Sequence, residues 1–164
     1  MASQPNGPGY DAMVVAPVAW VVGGRLAPED DEWAREVAHL HLDASIPSDA
    51  LAGLEAFSHI EVIFHFHRVS PSAITFGARH PRDRQDWPAV GIFAQRGRVR
   101  PNRLGVSVCR LLAVADRVLT VQGLDAIDGT PILDIKPVVR EFLPRGEVTQ
   151  PAWMTELMAQ YWGD

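Results

Sequence analysis

The amino-acid sequence predicts a mainly β fold, an antiparallel sheet or barrel carrying short helices and a C-terminal helix. Three observations carry that expectation. Apolar residues recur at every second position over several short runs, the period of a half-buried strand. Glycine, proline and aspartate punctuate the runs so closely that no long helix fits between them. Only "PAWMTELMAQYW", residues 151–162, has a helical repeat, with Trp153, Leu157 and Tyr161 recurring every four residues and Pro151 suited to the first turn. Dense short strands of this kind build antiparallel sheets and barrels.

The elements follow in chain order. Residues 1–10, "MASQPNGPGY", are expected to be a loose tail, and residues 11–164 a single domain. "AMVVAPVAWVV" predicts a buried strand rich in valine, and "APEDDEWARE" an acidic turn. In "EVAHLHLD", Ala38, Leu40 and Leu42 alternate with His39 and His41, a half-buried strand. "PSDALAGLEAF" suits a short helical turn with Ser48 as N-cap. "FSHIEVIFHFHRV" follows as a long strand. Ile60, Val62, Phe64 and Phe66 fall on one face, with His59, Glu61, Ile63, His65 and His67 on the other. Residues 70–88 hold three prolines, a glycine and many charges, so an extended loop is expected. "AVGIFAQ", "LGVSVCRLLAV", "RVLTVQGL" and "PILDIKPVV" predict further strands. "RGRVRPN" and the Asp-Gly turn "DAIDGT" lie between them as loops.

Composition bounds the function classes. A chain of 164 residues, 47% hydrophobic and 21% charged, is ordinary for a soluble protein. No apolar run approaches the roughly 20 residues of a membrane-spanning helix. A lone cysteine, Cys109, excludes an internal disulfide and fits a reducing cytoplasm. Net charge is -5, but it is unevenly spread. Residues 79–103 hold seven arginines against two acids, so this segment is +5 while the remainder is -10. Clustered guanidinium groups suit phosphates or carboxylates, and a solvated loop with scattered ion pairs is the structural alternative.

Chemistry-bearing motifs narrow the field. A His-x-His pair on a strand spans roughly 6.6 Å and can chelate one ion, but His59 lies roughly 20 Å from His65 along a strand. A metal site would need His39, His41, His65 and His67 to meet across paired strands. The glycines and following glutamate of a cupin metal centre are missing around "HLH" and "HFH", and one cysteine rules out a thiolate-rich zinc site. No metal is expected. Cys109 reads as a small buried side chain, and Ser107 lacks a nucleophile elbow. Neither G-x-G-x-x-G nor a P-loop is present, which excludes the usual α/β nucleotide sites.

Two dense stretches remain, "GIFAQRGRVRPNRLGVSVC" and "GLDAIDGTPILDIKPV", preceded by "LEAFSHIEVIFHFH". They resemble the TrmO family, also called TsaA-like or YaeB-like, whose motifs look like "GVFATRSPFRPNPIGLSVV", "GLDALDGTPVLDIKPY" and "LEGFSHIWVLFHFH". The resemblance covers roughly residues 50–140 with the motifs in order. It implies a compact antiparallel β-barrel, a homodimer with cofactor sites near the subunit interface, and N6-methylation of threonylcarbamoyl-adenosine beside the tRNA anticodon, with S-adenosyl-L-methionine as methyl donor.

Carried over by position, the resemblance implies cofactor contacts at Phe66, His67 and Arg68, at Arg96, at Leu104 to Val106, and at Ala126, Ile127, Asp128 and Gly129. An Arg suits the cofactor's carboxylate, an Asp its ribose hydroxyls, and backbone groups its adenine edge. Asp134 is the candidate proton acceptor and Asn102 the candidate for orienting the base. Arg98, Arg100 and Arg103 are candidates for holding the substrate. The chain departs from the family pattern with Gln95, Gly97, Arg98, Val99 and Arg103, and "GGRLAPEDDEWARE" stands in place of the N-terminal S-P-F and P-R-Q segments. Those positions surround the acceptor side. A small-molecule methyltransferase and a cofactor-binding module without transferase activity are therefore the alternatives.

Overall fold

The structure, a computed structural model, describes residues 12–163; the expected tail at residues 1–10 lies outside them. Among the described residues eight strands run in chain order: β1 (Ala19–Val22), β2 (Val37–Leu42), β3 (His59–His65), β4 (Ala78–Arg79), β5 (Val90–Gly91), β6 (Leu104–Ala115), β7 (Val118–Gln122) and β8 (Pro131–Pro137). One α-helix, α1 (Ala152–Met158), lies near the C-terminal end, and short 3-10 turns fill the connections. Six strands close into a barrel in the order β1-β2-β7-β6-β3-β8, with β8 returning to β1, while β4 and β5 form a separate two-stranded ladder. Every pairing is antiparallel. Closure leaves the barrel without an edge strand to template aggregation.

The period of two read from the sequence is the period of the barrel wall. Ile60, Val62 and Phe64 of β3 are at most 1% exposed and face inward, with Ala19, Val21, Ala38, Leu40, Leu119, Val121 and Ile132 from the other walls. Burying a side chain such as Phe64 contributes roughly 1.5–3 kcal/mol, the main force holding the wall shut. His39 and His41 alternate outward on β2, as expected. On β6 the inward positions carry Gly105, Ser107 and Cys109. Gly105 is required by its neighbour, since a Cβ there would sit 2.4 Å from two carbons of the Phe64 ring. That ring also packs edge-to-face on Phe66, with centroids 5.2 Å apart.

Several boundaries differ from expectation, each for a local reason. Pro17 cannot donate to a ladder; β1 begins only at Ala19, and Met13, Val14 and Val15 are exposed. The helical turn after Pro47 is two 3-10 turns, Ser48–Leu51 and Leu54–Ala56, separated by Gly53 at φ +86. Pro47, not Ser48, holds the first cap position. Expected strand "AVGIFAQ" pairs only through Val90–Gly91 before turning into a 3-10 helix at Ile92–Ala94. Its partner β4 lies in the segment expected to be loop throughout. The C-terminal helix covers seven residues, and Tyr161 follows it in a turn.

Strand order also decides where the histidines go. β2 and β3 are separated in the barrel by β7 and β6. The pair His39 and His41 therefore cannot meet His65 and His67 across paired strands. Among the described residues no group of three or more His, Cys, Asp or Glu side chains could hold a metal ion. Nor, among them, is any helix long and apolar enough to cross a membrane.

Candidate functional site

A cavity of about 1020 Å³ opens where four stretches of chain converge. They are the end of β3 with residues 66–70, the arginine-rich loop 95–102, the start of β6, and the turn at 125–127. Residues 28–33 and the C-terminal segment complete its wall. Small-molecule pockets fall at roughly 300–1,000 Å³, so this volume suffices for a cofactor together with part of an acceptor.

The loop is anchored by its own polar groups. Gln95, 9% exposed, donates from Nε2 to the carbonyls of Arg79 (3.0 Å) and Val90 (2.9 Å), tying the loop to the β4–β5 ladder. This gives a structural reason for glutamine at a position that departs from the family pattern. Arg96 donates to the Val106 carbonyl at 2.5 Å, Arg98 to the Pro28 carbonyl at 2.9 Å, and Arg100 to the Gln95 carbonyl at 3.0 Å. Arg68 donates to the Leu26 carbonyl at 3.0 Å. Among the described residues none of these four guanidinium groups pairs with a carboxylate. With Arg82 they outnumber the carboxylates of the lining, Glu29, Asp30 and Asp125, so the balance of charge favours anions. Arg82 differs, because Asp31 takes it in a bidentate pair at 2.7 and 3.1 Å. Through that pair the acidic N-terminal stretch is drawn onto the basic loop.

Of the residues singled out from the sequence, Phe66, His67, Arg68, Arg96, Leu104 and Val106 line the cavity. So do Ala126 and Ile127 of the turn, and Arg98, Arg100 and Asn102 of the loop. Partial burial, and then the charge of Arg68, lower the His67 pKa, so its imidazole is neutral at pH 7.

Four candidates are not brought into the lining. Asp128 turns its Oδ1 to accept from the Gly23 amide at 2.8 Å, and the Gly129 amide donates to the Val21 carbonyl at 2.8 Å. Those bonds hold the turn against β1 and leave Ala126 and Ile127 facing the cavity. Arg103, with φ +51, donates to the Val69 carbonyl at 2.9 Å, pinning the loop's base to the chain after β3. Asp134 is the clearest correction. It stands opposite Ile63 on β8, pairs with Lys136 at 2.6 Å and accepts from the Ile135 amide. Its carboxylate lies outside the cavity because the register of β8 turns it away.

Sequence reasoning missed Asp125. Its carboxylate lines the cavity and accepts hydrogen bonds from the Ser107 and Tyr161 hydroxyls. One signal was available: inward alternation places Ser107 with Gly105 and Cys109, and a buried hydroxyl needs a partner. In the sequence Tyr161 shows only a helical repeat with Trp153 and Leu157. Burial, then the Asp125 charge, raise its hydroxyl's pKa, so it remains a donor. Burial first, and Asp125 second, push the Cys109 thiol up to about 12, which makes it unreactive.

The chain has relatives among known proteins. The model of the tRNA-methyltransferase O N-terminal domain family matches residues 25–142, well over half of the chain. A Pyrococcus abyssi protein described as a probable S-adenosyl-L-methionine-binding protein is 40% identical over 101 residues, covering 62% of this chain and 52% of its own. The tRNA (adenine(37)-N6)-methyltransferase of Homo sapiens is 34% identical over 105 residues, 64% of this chain and 23% of that one. The crystal structure of TrmO from Pseudomonas aeruginosa superposes with a TM-score of 0.69 at 28% identity, over 85% of this chain and 61% of the other. The chain thus spans about half the length of the archaeal relative and under a quarter of the human one.

Proposed function

This chain belongs to the TrmO family, and from that premise we propose that it is an S-adenosyl-L-methionine-dependent methyltransferase acting on N6 of adenosine in tRNA. At its finest the reading names threonylcarbamoyl-adenosine beside the anticodon as acceptor. The observation that carries it is the family match over residues 25–142, within which the motif residues His67, Arg96 and Ala126 converge on one cavity.

The donor set suits the cofactor. Arg96 offers a guanidinium to its carboxylate, the Phe66 ring an apolar face, and the backbone around Ala126 and Ile127 a partner for the adenine edge. When bound, S-adenosyl-L-methionine supplies a methyl group activated on a sulfonium. The protein's part is to bring the acceptor nitrogen into line and exclude water, because positioning supplies most of the acceleration in such a displacement. His67, neutral and beside Arg68, adds a hydrogen-bonding group without adding charge next to a cationic donor. Arg98 and Arg100 at the rim suit phosphates flanking the acceptor base, and Asn102 suits the base itself.

We further propose a homodimer. Leu104, Val108 and Leu112 of β6 are 39–48% exposed, and the first two line the cavity, an apolar face that a second copy would cover.

The test is transfer of labelled methyl from S-adenosyl-L-methionine into bulk tRNA, run beside transfer into a small-molecule extract. Label in tRNA that nuclease digestion releases as N6-methylated adenosine supports the proposal. Label confined to the small-molecule fraction would move the acceptor to that class. Cofactor binding with no transfer to either would leave a binding module.

A further inference from the structure

We propose that Asp125 accepts the proton lost by the acceptor nitrogen, and that Tyr161 is the positioning residue for its carboxylate. The proposal rests on the methyltransferase reading above and adds to it a role for the C-terminal segment. Among the described residues three carboxylates line the cavity: Glu29, Asp30 and Asp125. Glu29 and Asp30 stand on exposed chain, and Asp30 has Arg82 3.9 Å away. Asp125 alone is held on both oxygens, by Ser107 Oγ on Oδ1 and by Tyr161 OH on Oδ2. A carboxylate oxygen has two lone-pair sites, so each keeps one free after those bonds. Ser107 is 6% exposed on the inner face of β6, a fixed donor.

Tyr161 lies outside residues 25–142, beyond the family match. Its position is nevertheless set by the connection that leads into β2. Backbone amides of Glu32, Trp33 and Ala34 donate to the carbonyls of Gln160, Tyr161 and Trp162 at 2.9–3.0 Å. Trp87 Nε1 donates to Glu156 at 2.9 Å and fastens α1. A phenol held this way is in place before substrate arrives, so its ordering costs nothing further on binding. The charged and titratable groups near the network are Arg96, Asp30 and Cys109.

The atoms balance simply. The acceptor nitrogen bonds to the methyl carbon as the carbon–sulfur bond breaks, and that electron pair stays on sulfur. The proton displaced from nitrogen goes to an oxygen of Asp125 and then to water. No oxidant or further reactant is needed.

The experiment uses the full chain with S-adenosyl-L-methionine and tRNA, and compares wild type with Asp125→Asn, Tyr161→Phe and Asp134→Asn. Asp125→Asn should lower kcat about 10²–10⁴-fold, the usual contribution of a general base. Cofactor affinity by calorimetry should stay within about threefold of wild type, since the carboxylate is assigned to the proton and not to the cofactor. Tyr161→Phe should lower kcat about tenfold with KM unchanged. Should Asp125→Asn fold poorly, Tyr161→Phe, which keeps the ring, carries the test. Wild-type kcat in Asp125→Asn, or a loss confined to Asp134→Asn, overturns the assignment alone. A loss in Tyr161→Phe carried by KM with kcat at the wild-type value overturns the positioning role. A wild-type chain that methylates no tRNA overturns the proposed reaction and this assignment together.

Discussion

Arg96 illustrates how much a single side chain depends on what it is not paired with. Its guanidinium spends one donor on the Val106 carbonyl and has no carboxylate partner among the described residues, so its charge is available to a bound anion. Arg96→Ala should weaken S-adenosyl-L-methionine binding by about 1.5–3 kcal/mol, the usual worth of a hydrogen bond to a charged group. Calorimetry reads this directly, and unchanged affinity would refute the role. His65 and His67 make a different prediction. Burial lowers both pKa values, helped by Arg103 and His67 in one case and Arg68 in the other. Unfolded imidazoles titrate near about 6.5, so below that pH the unfolded chain binds more protons and the fold loses stability. The loss begins as pH falls through about 6.5 and stops below the lower folded-state values. The melting temperature should drop over that window in wild type and flatten in His65→Gln/His67→Gln; an equal drop in both would refute the assignment.

At the scale of elements, β3 and β6 are fitted to each other at one point above all. Phe64 fills the barrel interior because residue 105, paired opposite it, has no side chain. Gly105→Ala would press a methyl against a ring that is 1% exposed and cannot move aside. The expected cost is about 1–3 kcal/mol of stability, typical of overpacking. A urea titration of the variant would show it as an earlier midpoint, and an unshifted midpoint would mean that the strands part more easily than their packing implies. Bulges add the other adjustment. Register shifts on β3/β8 and β6/β7 each place an extra residue in a wall, re-aiming the side chains beyond it. The first of these, between Ile63 and Phe64, leaves Asp134 on the outside.

For the whole molecule, the uneven charge matters more than the net value of -5. Arg82 and residues 95–102 of the +5 segment line the cavity, and among the described residues the acids from outside the segment that pair with it, Asp30 and Asp31, both take Arg82. Binding of a polyanion at that cavity should therefore depend steeply on salt. Removing Arg98 and Arg100 together should weaken tRNA binding and reduce the slope of log K against log salt by about one per lost phosphate contact. Filter binding across a salt series would measure it. A slope equal to wild type would place the phosphates elsewhere.

Much of this was legible in the chain alone, because its cause is local. Alternation in "HIEVIFHF" needs only the pleat of a strand and the cost of wetting apolar surface, so Ile60, Val62 and Phe64 could be placed inside at once. Motif residues such as His67, Arg96 and Ala126 were legible through resemblance. Tertiary structure decided what depends on distant pairing. The order β1-β2-β7-β6-β3-β8 keeps His39 and His41 away from His65 and His67, and strand register turns Asp134 outward. Asp125 meets Ser107 and Tyr161 across 18 and 36 residues of chain, a contact that no local period encodes. Hydrophobic periodicity specifies which face of a strand is buried, but only closure of the barrel specifies which polar groups are left to face one another at its mouth.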